Sequence, residues 1–373
     1  MTKPETASEI DRRFMAATIR LSERHVGLTG TNPSVGSIIV RDDGNGPIIV
    51  GRGITAFGGR PHAETIALAE AGDRAIGATA YATLEPCAHH GRTPPCAEAL
   101  VRAGIARVVY AAGDPDPRVS GKGAAILFAA GLAVTPHVLV EEARQPLSNY
   151  LNRLVRKRPE VTLKMAVSRD GRIGLAGGGQ VAITGPVANA QTHLLRARSD
   201  AILVGVGTVR EDDPALTCRL PGLSARSPLR IVLDARLETP LGSALVRTAR
   251  ETPTALAVVA GLNCCDAAPY RAAGCDFIAC EAEPGTQRIA LEELLDDLAA
   301  RGHSSLLVEG GARTARAFIE QDLIDRIILV EGDVVIGEGG LAAPVDRRHV
   351  PAGFDVAREM RLGPDVWREY RRG

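Results

Sequence analysis

The residues best suited to chemistry are a histidine, a glutamate and two cysteines in the first third of the chain. His62 and Glu64 stand two positions apart, and Pro-Cys dipeptides follow at Cys87 and Cys96. One imidazole and two thiolates form a borderline-soft ligand set that suits tetrahedral Zn²⁺ and leaves one position open for water. The metal lowers the pKa of such a water towards neutrality. We therefore expect His62, Cys87 and Cys96 to bind a catalytic zinc ion.

Glu64 is expected to transfer protons rather than to bind the metal. Near the start of a predicted helix, its carboxylate can take the proton of the water and pass it to a leaving amine. His-x-Glu followed by Pro-Cys is typical of zinc deaminases, although their cysteines are usually two residues apart. Here eight residues separate them, so Cys96 must begin a helix that returns its thiolate to the metal. The alternatives are a structural zinc, with His89 or His90 as fourth ligand, and buried cysteines without metal.

Composition limits the classes of protein to which the chain can belong. Its 373 residues, at roughly 150 per domain, suggest two domains. Zero net charge and 3% aromatic residues argue against nucleic-acid binding, because phosphate backbones select basic faces. The apolar runs fall far short of the ~20 residues of a membrane span, and residues 1–11 lack the apolar core of a signal peptide. The seven cysteines are an odd number, and we expect no disulfide framework. Together these features predict a cytoplasmic globular protein without membrane or nucleic-acid partners.

The first half of the chain alternates between helix and strand patterns, which predicts an α/β domain. The turn 42–47 (DDGNGP) between two apolar runs indicates a β-hairpin. The predicted helices are 11–25, 62–71, 94–103 and 121–130, and the predicted strands are 37–40, 48–50, 78–84 and 107–111.

A polar, basic stretch at 141–159 indicates that the domain boundary lies near there, and we place the domains at 1–150 and 159–373. The second half repeats the α/β alternation. Its predicted helices are 186–198, 291–301 and 312–321, and its predicted strands are 161–167, 201–206, 229–233, 254–260, 305–309 and 325–330.

The second half carries weaker chemical signals. Glu309 is followed by Gly310 and Gly311 where a strand feeds a helix, and bare amides there bind phosphate. The alternative is a tight strand–helix turn, which the glycines by themselves favour. The loop 207–219 mixes hydroxyl, carboxylate and guanidinium groups after a buried strand. Arginine forks such as Arg196 and Arg219 suit a sugar phosphate, and solvated surface charges are the alternative. Residues 205–207 (GVG) are only a fragment of a dinucleotide-binding G-x-G-x-x-G.

The stretch 83–96 (TLEPCAHHGRTPPC), with 32–36, 61–64 and 113–123, resembles the deaminase half of the bifunctional riboflavin-biosynthesis deaminase–reductases. The resemblance implies a cytidine-deaminase-like N-terminal domain. It also implies hydrolytic deamination of 2,5-diamino-6-(5-phosphoribosylamino)pyrimidin-4-one, with Asn32 as a pyrimidine contact. A turn residue before Pro33 is the alternative for Asn32. Many relatives have His where this chain has Thr55.

Segments 163–166, 168–171, 183–186, 208–219 and 308–311 resemble the reductase half of the same family. This implies a dihydrofolate-reductase-like C-terminal domain that uses NADPH to reduce the ribosyl chain to ribityl. Relatives often have Trp at Ala182 and Ser at Gln180. The implied cofactor contacts are Ala166, Thr208, Asp212, Gly311, Ala312, Arg313, Thr314, Ala315, Arg316 and Ala317, and the implied substrate contacts are Gln180, Arg196, Leu216, Arg219 and Glu309.

The sequence thus predicts a two-domain α/β enzyme, homo-oligomeric, with Zn²⁺ and NADPH as cofactors and a small pyrimidine ribotide as substrate. One rival is a deaminase with a decayed second half, which Ala182 favours. Another is a nucleoside or tRNA-editing deaminase, which the neutral charge disfavours. A third is a zinc-stabilised interaction protein, which requires a fourth protein ligand.

Overall fold

The chain folds into two compact units, Met1–Lys157 and Arg158–Gly373. The structure, a computed structural model, describes residues 7–90, 94–175, 177, 181–261 and 263–373. No helix in these ranges is long and apolar enough to cross a membrane.

The first unit contains a five-stranded sheet of order β2-β1-β3-β4-β5. The predicted hairpin forms, since β1 pairs antiparallel with β2 and β3, whereas β3, β4 and β5 run parallel. The elements in chain order are α1 (Glu9–Ser22), β1 (Gly36–Asp42), β2 (Pro47–Ile54), α2 (Ala63–Ala71), β3 (Thr79–Leu84), α3 (Cys96–Arg102), β4 (Arg107–Ala112), α4 (Lys122–Ala129), β5 (Ala133–Thr135) and α5 (Val140–Arg156).

Helices cover both faces of this sheet. Successive side chains of a strand face opposite sides, so Ile38 and Val40 of β1 pack with Met15 of α1, whereas Ile39 belongs to the same buried cluster as Leu100 of α3. Helices α1 and α5 lie on one face, and α2, α3 and α4 lie on the other. The first unit is therefore a three-layer sandwich in which each buried Leu or Ile contributes about 1.5–3 kcal/mol.

Helix α5 occupies most of the polar stretch 141–159. The 17-residue helix lies within the first unit and buries Ala143 and Leu147, four positions apart. Its basic residues, such as Arg153 and Arg156, lie on other sides of the helix. The polar composition therefore reflects an amphipathic helix packed by one narrow apolar stripe.

The second unit contains a nine-stranded sheet of order β11-β10-β9-β8-β12-β6-β13-β16-β15, and a separate antiparallel pair, β14-β7. The strands from β11 to β13 are parallel, and β16 and β15 add an antiparallel edge. The elements in chain order are β6 (Glu160–Val167), β7 (Arg172–Leu175), α6 (Pro186–Ala197), β8 (Ala201–Gly205), α7 (Val206–Asp212), β9 (Leu229–Leu233), α8 (Ala244–Arg247), β10 (Thr254–Val259), α9 (Cys264–Ala273), β11 (Asp276–Cys280), α10 (Leu291–Ala300), β12 (Ser305–Val308), α11 (Ala312–Glu320), β13 (Arg326–Glu331), β14 (Gly340–Ala342), β15 (Phe354–Leu362) and β16 (Asp365–Arg372).

The helices that follow two neighbouring strands, β8 and β12, pack on opposite faces of the sheet. Strand β8 leads into α7, whose Val209 packs on one face with α8 and α9. Strand β12 leads into α11, whose Phe318 packs on the opposite face with α10. Where helices leave adjacent parallel strands towards opposite faces, a crevice opens at the carboxyl ends of the strands, and α/β proteins place their ligands there.

The predicted strand 229–233 coincides with β9, and the other predicted elements of this half differ by one residue at one or both ends. The predicted loop 207–219 is wrong in its first part, because 206–212 form helix α7. Its only buried residue is Val209, so the sequence offers too little apolar periodicity to reveal a helix.

Candidate active sites

The predicted zinc ligands converge in the first unit. The Nδ1 atom of His62 lies 3.3 Å from Sγ of Cys96 and 3.7 Å from Sγ of Cys87. A tetrahedral zinc ion, bonded to nitrogen at about 2.1 Å and to sulfur at about 2.3 Å, separates such ligands by about 3.6 Å. All three ligand atoms lie within 4.8 Å of one another. The donor set therefore fits a zinc ion in both chemistry and spacing.

Three element ends bring these ligands together. His62 immediately precedes α2 at its N-cap, Cys87 follows β3, and Cys96 is the first residue of α3, as the long cysteine spacing requires. The backbone N–H of Cys96 donates to Sγ of Cys87 at 3.2 Å. Hydrogen bonds with Cys96 and His62 lower the pKa of Cys87 to about 4, despite its burial. Cys87 is therefore poised as the thiolate that metal binding needs.

Glu64 lies in the first turn of α2, next to the ligands, and is almost fully buried. Burial first, and then the negative charge of Cys87, raise the pKa of this carboxyl group. A carboxyl group whose pKa is raised can both accept and return a proton near neutral pH.

The two histidines considered as a fourth ligand do not join the cluster. Among the described residues, the group with metal-binding spacing consists of His62, Cys87 and Cys96. His90 instead pairs with Glu98 through a contact of 2.9 Å. Three protein ligands leave an open position, which is typical of a catalytic rather than a structural zinc.

Asn32 is a turn residue whose side chain lies beside the segment that leads to His62. Its backbone N–H closes a turn by donating to the carbonyl of Thr29, while its side-chain amide lies against Gly59. A Cβ at Gly59 would come within 2.3 Å of Nδ2 of Asn32, so glycine gives the amide its place beside the segment leading to His62. Thr55, by contrast, is buried, and its hydroxyl accepts the N–H of Val35 at 3.0 Å, which is a structural contact.

In the second unit, the crevice between β8 and β12 unites several predicted cofactor residues. The N–H of Gly311 donates to Oγ1 of Thr208 at 3.2 Å. A Cβ at Gly205 or Gly310 would lie within 2.7 Å of the side chain of Thr314, so both glycines permit close approach of α11. No described side chain caps α11, and the first amides of a helix lack intrahelical partners. Such an open helix start after two glycines fits an anionic group such as a pyrophosphate.

Arg196 and Glu309 form a bidentate ion pair beside this crevice. Nε and Nη2 of Arg196 each lie 2.8 Å from a carboxylate oxygen of Glu309, and the side chains are only 13% and 9% exposed. Nη1 of Arg196 also donates to the carbonyl of Thr217 at 3.2 Å. The surface alternative for Arg196 is therefore wrong, because its guanidinium group is fixed in the interior.

Sequence reasoning missed two ionisable residues close to this pair. Burial, followed by the charge of Arg196, lowers the pKa of Lys164 on β6, although Glu309 opposes the shift. His193 on α6 lies 3.1 Å from the carbonyl of Thr217 and 3.3 Å from the N–H of Arg219. The signal for Lys164 was a lysine inside an otherwise apolar predicted strand.

The remaining predicted residues lie around the same crevice or outside the described ranges. Ala166 lies near the end of β6, and Asp212 ends α7, one turn after Thr208. Leu216 is buried, Arg219 is exposed, and Gln180 lies outside the described residues. The other cofactor candidates, at 312–317, form the first turns of α11.

Comparison with known families supports both halves. The family model of the cytidine and deoxycytidylate deaminase zinc-binding region matches residues 8–112. The RibD C-terminal domain matches residues 159–366. The predicted fold class is confirmed: an N-terminal deaminase domain precedes a C-terminal reductase domain of the dihydrofolate-reductase-like type.

Individual relatives match nearly the whole chain. The riboflavin biosynthesis protein RibD of Aquifex aeolicus is 37% identical, over 96% of this chain and 97% of its own length. The RibD structure of Acinetobacter baumannii has a TM-score of 0.85 at 34% identity and covers 97% of this chain and 99% of its own. A deaminase/reductase structure from Thermotoga maritima has a TM-score of 0.82 at 30% identity, with coverages of 97% and 98%. This chain belongs to the RibD family, the bifunctional deaminase–reductases of riboflavin biosynthesis.

Proposed function

We propose that the first unit deaminates 2,5-diamino-6-(5-phosphoribosylamino)pyrimidin-4-one through residues His62, Glu64, Cys87 and Cys96. The observation that carries this assignment is the spacing of 3.3 and 3.7 Å between the imidazole nitrogen and the two sulfurs. His62, Cys87 and Cys96 would hold a zinc ion, which would supply the Lewis acidity that activates water for the hydrolysis.

Glu64 moves the protons of this hydrolysis. Replacing a ring amino group by oxygen requires that a proton pass from the attacking water to the departing ammonia. A buried carboxyl group with a raised pKa serves this transfer, since it takes up and releases a proton without leaving the site. Asn32 contacts the pyrimidine edge, where its amide can donate and accept hydrogen bonds.

The second unit reduces the ribosyl chain of the deaminated product to ribityl, with NADPH as the hydride source. The open start of α11, with Gly311 fixed against Thr208, supports pyrophosphate binding at 311–317. Ala166 and Asp212 line the rest of the cofactor site. Gln180 belongs to the substrate contacts by its position in the sequence alone.

The buried charges beside the crevice suit an anionic, ring-opened sugar phosphate. Arg196 and Glu309 neutralise each other, and Lys164 adds a further basic group in a poorly solvated position. Leu216 and Arg219 complete the substrate side. Holding the sugar carbon within hydride range is a positioning task, which fixed charges perform well.

The test measures ammonia release and NADPH oxidation together, using zinc-loaded protein and the diaminopyrimidine ribotide. We expect ammonia without NADPH, and oxidation of NADPH only after deamination. Ammonia without oxidation would support the decayed-reductase alternative, and no ammonia would remove the proposed substrate. The same assay with NADH tests the cofactor preference.

We assign deamination to residues 1–150 and reduction to residues 159–373. The cytoplasmic location, the homo-oligomeric state and the lack of nucleic-acid partners stay predictions. Gel filtration with light scattering measures the oligomeric state directly.

A further inference from the structure

Arg230 is a fully buried arginine at the centre of the second unit that the proposed chemistry does not use. It lies in β9, between β8 and β10, and is 0% exposed. Its guanidinium contacts six neutral oxygens: from Nη1, the Ala215 carbonyl at 3.2 Å and the Thr248 hydroxyl at 2.9 Å, and from Nη2, the carbonyls of Leu245, Thr248 and Thr252 and the Thr254 hydroxyl at 2.7–3.2 Å.

The surroundings keep this arginine charged. Burial lowers the pKa of Arg230, but only to about 10, so the side chain stays protonated at neutral pH. Burying a charge costs several kcal/mol in desolvation unless hydrogen bonds compensate. Neutral oxygens, including carbonyls at the C-terminal end of α8, supply that compensation.

One of the six contacts fastens a loop with unfavourable backbone angles. Ala215 lies between Asp213, at φ 39°, and Leu216, at φ 51°. Both residues occupy the left-handed region, which is unfavourable for a residue with a Cβ. Such conformations persist only where surrounding contacts over-determine them. The side-chain carboxylate of Asp213 accepts a hydrogen bond from the N–H of Ala244 at 2.6 Å, and Arg230 donates a hydrogen bond to the carbonyl of Ala215.

The same loop continues directly into the Arg196–Glu309 pair. After Leu216, the Thr217 carbonyl accepts a hydrogen bond from Arg196, and the N–H of Arg219 lies against His193. Besides the contacts of Asp213, Cys218 and Arg219, two arginines thus hold carbonyls of this loop: Arg230 holds that of Ala215, and Arg196 holds that of Thr217.

We infer that Arg230 is a positioning residue for the reductase, which holds the loop 213–219 so that Leu216 and Arg219 meet the pyrimidine ribotide. This inference rests on the proposed function of the second unit. Arg230 lies beneath the loop, does not touch the substrate and acts through the Ala215 carbonyl.

The test compares Arg230→Met and Arg230→Lys with the wild-type chain. A hydrogen bond from a charged donor contributes about 1.5–3 kcal/mol, so Arg230→Met should raise the KM for the deaminated ribotide about tenfold or more. The KM for NADPH and the ammonia release should stay within about twofold, because neither site depends on this loop anchor. Arg230→Lys keeps the charge but reaches fewer oxygens, so its KM for the deaminated ribotide should lie between those of the wild type and Arg230→Met.

Thr254→Val is the matched control. It removes a 2.7 Å contact on the Nη2 side of the guanidinium, whereas the loop carbonyl contacts Nη1. It should lower stability while leaving the KM for the ribotide unchanged. If Arg230→Met unfolds the second unit, Arg230→Lys carries the test.

Two results would overturn the inference. One is a KM for the ribotide that stays within twofold in both Arg230 variants. The other is a parallel loss in kcat and in the KM for NADPH, which would indicate general damage. Failure of the wild-type chain itself to oxidise NADPH with the deaminated ribotide would instead remove the proposed function.

Discussion

Replacing Glu309 by glutamine should destabilise the second unit more than removing its partner Arg196. Glu309 makes two contacts of 2.8 Å to Arg196, and both side chains are largely buried. Burial raises the pKa of Glu309, but the charges of Arg196 and Lys164 outweigh it and hold the pKa below its usual value. Glu309→Gln therefore leaves two cations close together, at a cost of about 3–5 kcal/mol.

Arg196→Met leaves a buried carboxylate rather than two neighbouring cations. Glu309 keeps Lys164 as an oppositely charged neighbour, so this variant should lose less, near the lower end of the same ~3–5 kcal/mol range. The double variant should lose less than the sum of the two single losses by about 2 kcal/mol, because the residues act as one unit.

Trp367 makes the measurement specific. It is the single tryptophan of the chain and is buried in the second unit, so its fluorescence during urea unfolding reports that unit alone. Ammonia release serves as the control for the first unit and should not change. The reasoning is refuted if Glu309→Gln lowers the free energy of unfolding by less than about 1 kcal/mol. It is also refuted if Arg196→Met lowers that free energy more than Glu309→Gln does.

Three further predictions concern the first unit. Glu64→Gln should keep zinc but lose ammonia release by at least about 100-fold, and metal loss by elemental analysis would instead make Glu64 structural. Asp11→Asn, which leaves the half-buried Arg107 without its carboxylate contacts of 2.7 and 3.0 Å, should cost about 2–3 kcal/mol. Burial raises the pKa of Asp11, but hydrogen bonds from Arg107 and Ser8 lower it further, so the wild type should lose the same stability as the pH falls below about 4. Burial raises the pKa of Asp114 from 3.8 to about 6, so its contribution is present at low pH and falls by about 3 kcal/mol as the pH rises through 6. In calorimetry, Asp114→Asn should flatten that slope, and an unchanged slope would contradict the assignment.

The zinc site could be predicted from the sequence because its chemistry depends on residue types at element ends. Proline before each cysteine and a helix pattern after His62 and Cys96 already fix where the ligands begin or end an element. Apolar runs bounded by turns located most strands, since parallel strands covered by helices on both faces are buried along most of their length. Helix α5 escaped because only Ala143 and Leu147 are fully buried among many charged residues.

Residues whose role comes from distant segments could not be predicted in this way. Arg230 obtains its six partners from a loop, a helix end and the start of β10, up to 24 positions away, and Arg196 meets Glu309 across 113 positions. A local pattern contains no information on such partners. It does show that Lys164 and Arg230 are charged residues inside predicted apolar strands, where a charge conflicts with burial. A buried charge needs compensating partners, so a conflict of this kind indicates that a network must form around the residue. The Arg196–Glu309 network lies at the carboxyl end of β12, where the loops that carry polar groups begin. Arg230 lies near the amino end of β9 and reaches the loop 213–219 through the carbonyl of Ala215. A charge inside a buried strand is therefore a signal for residues that hold an active site in place, even where it does not reveal the site itself.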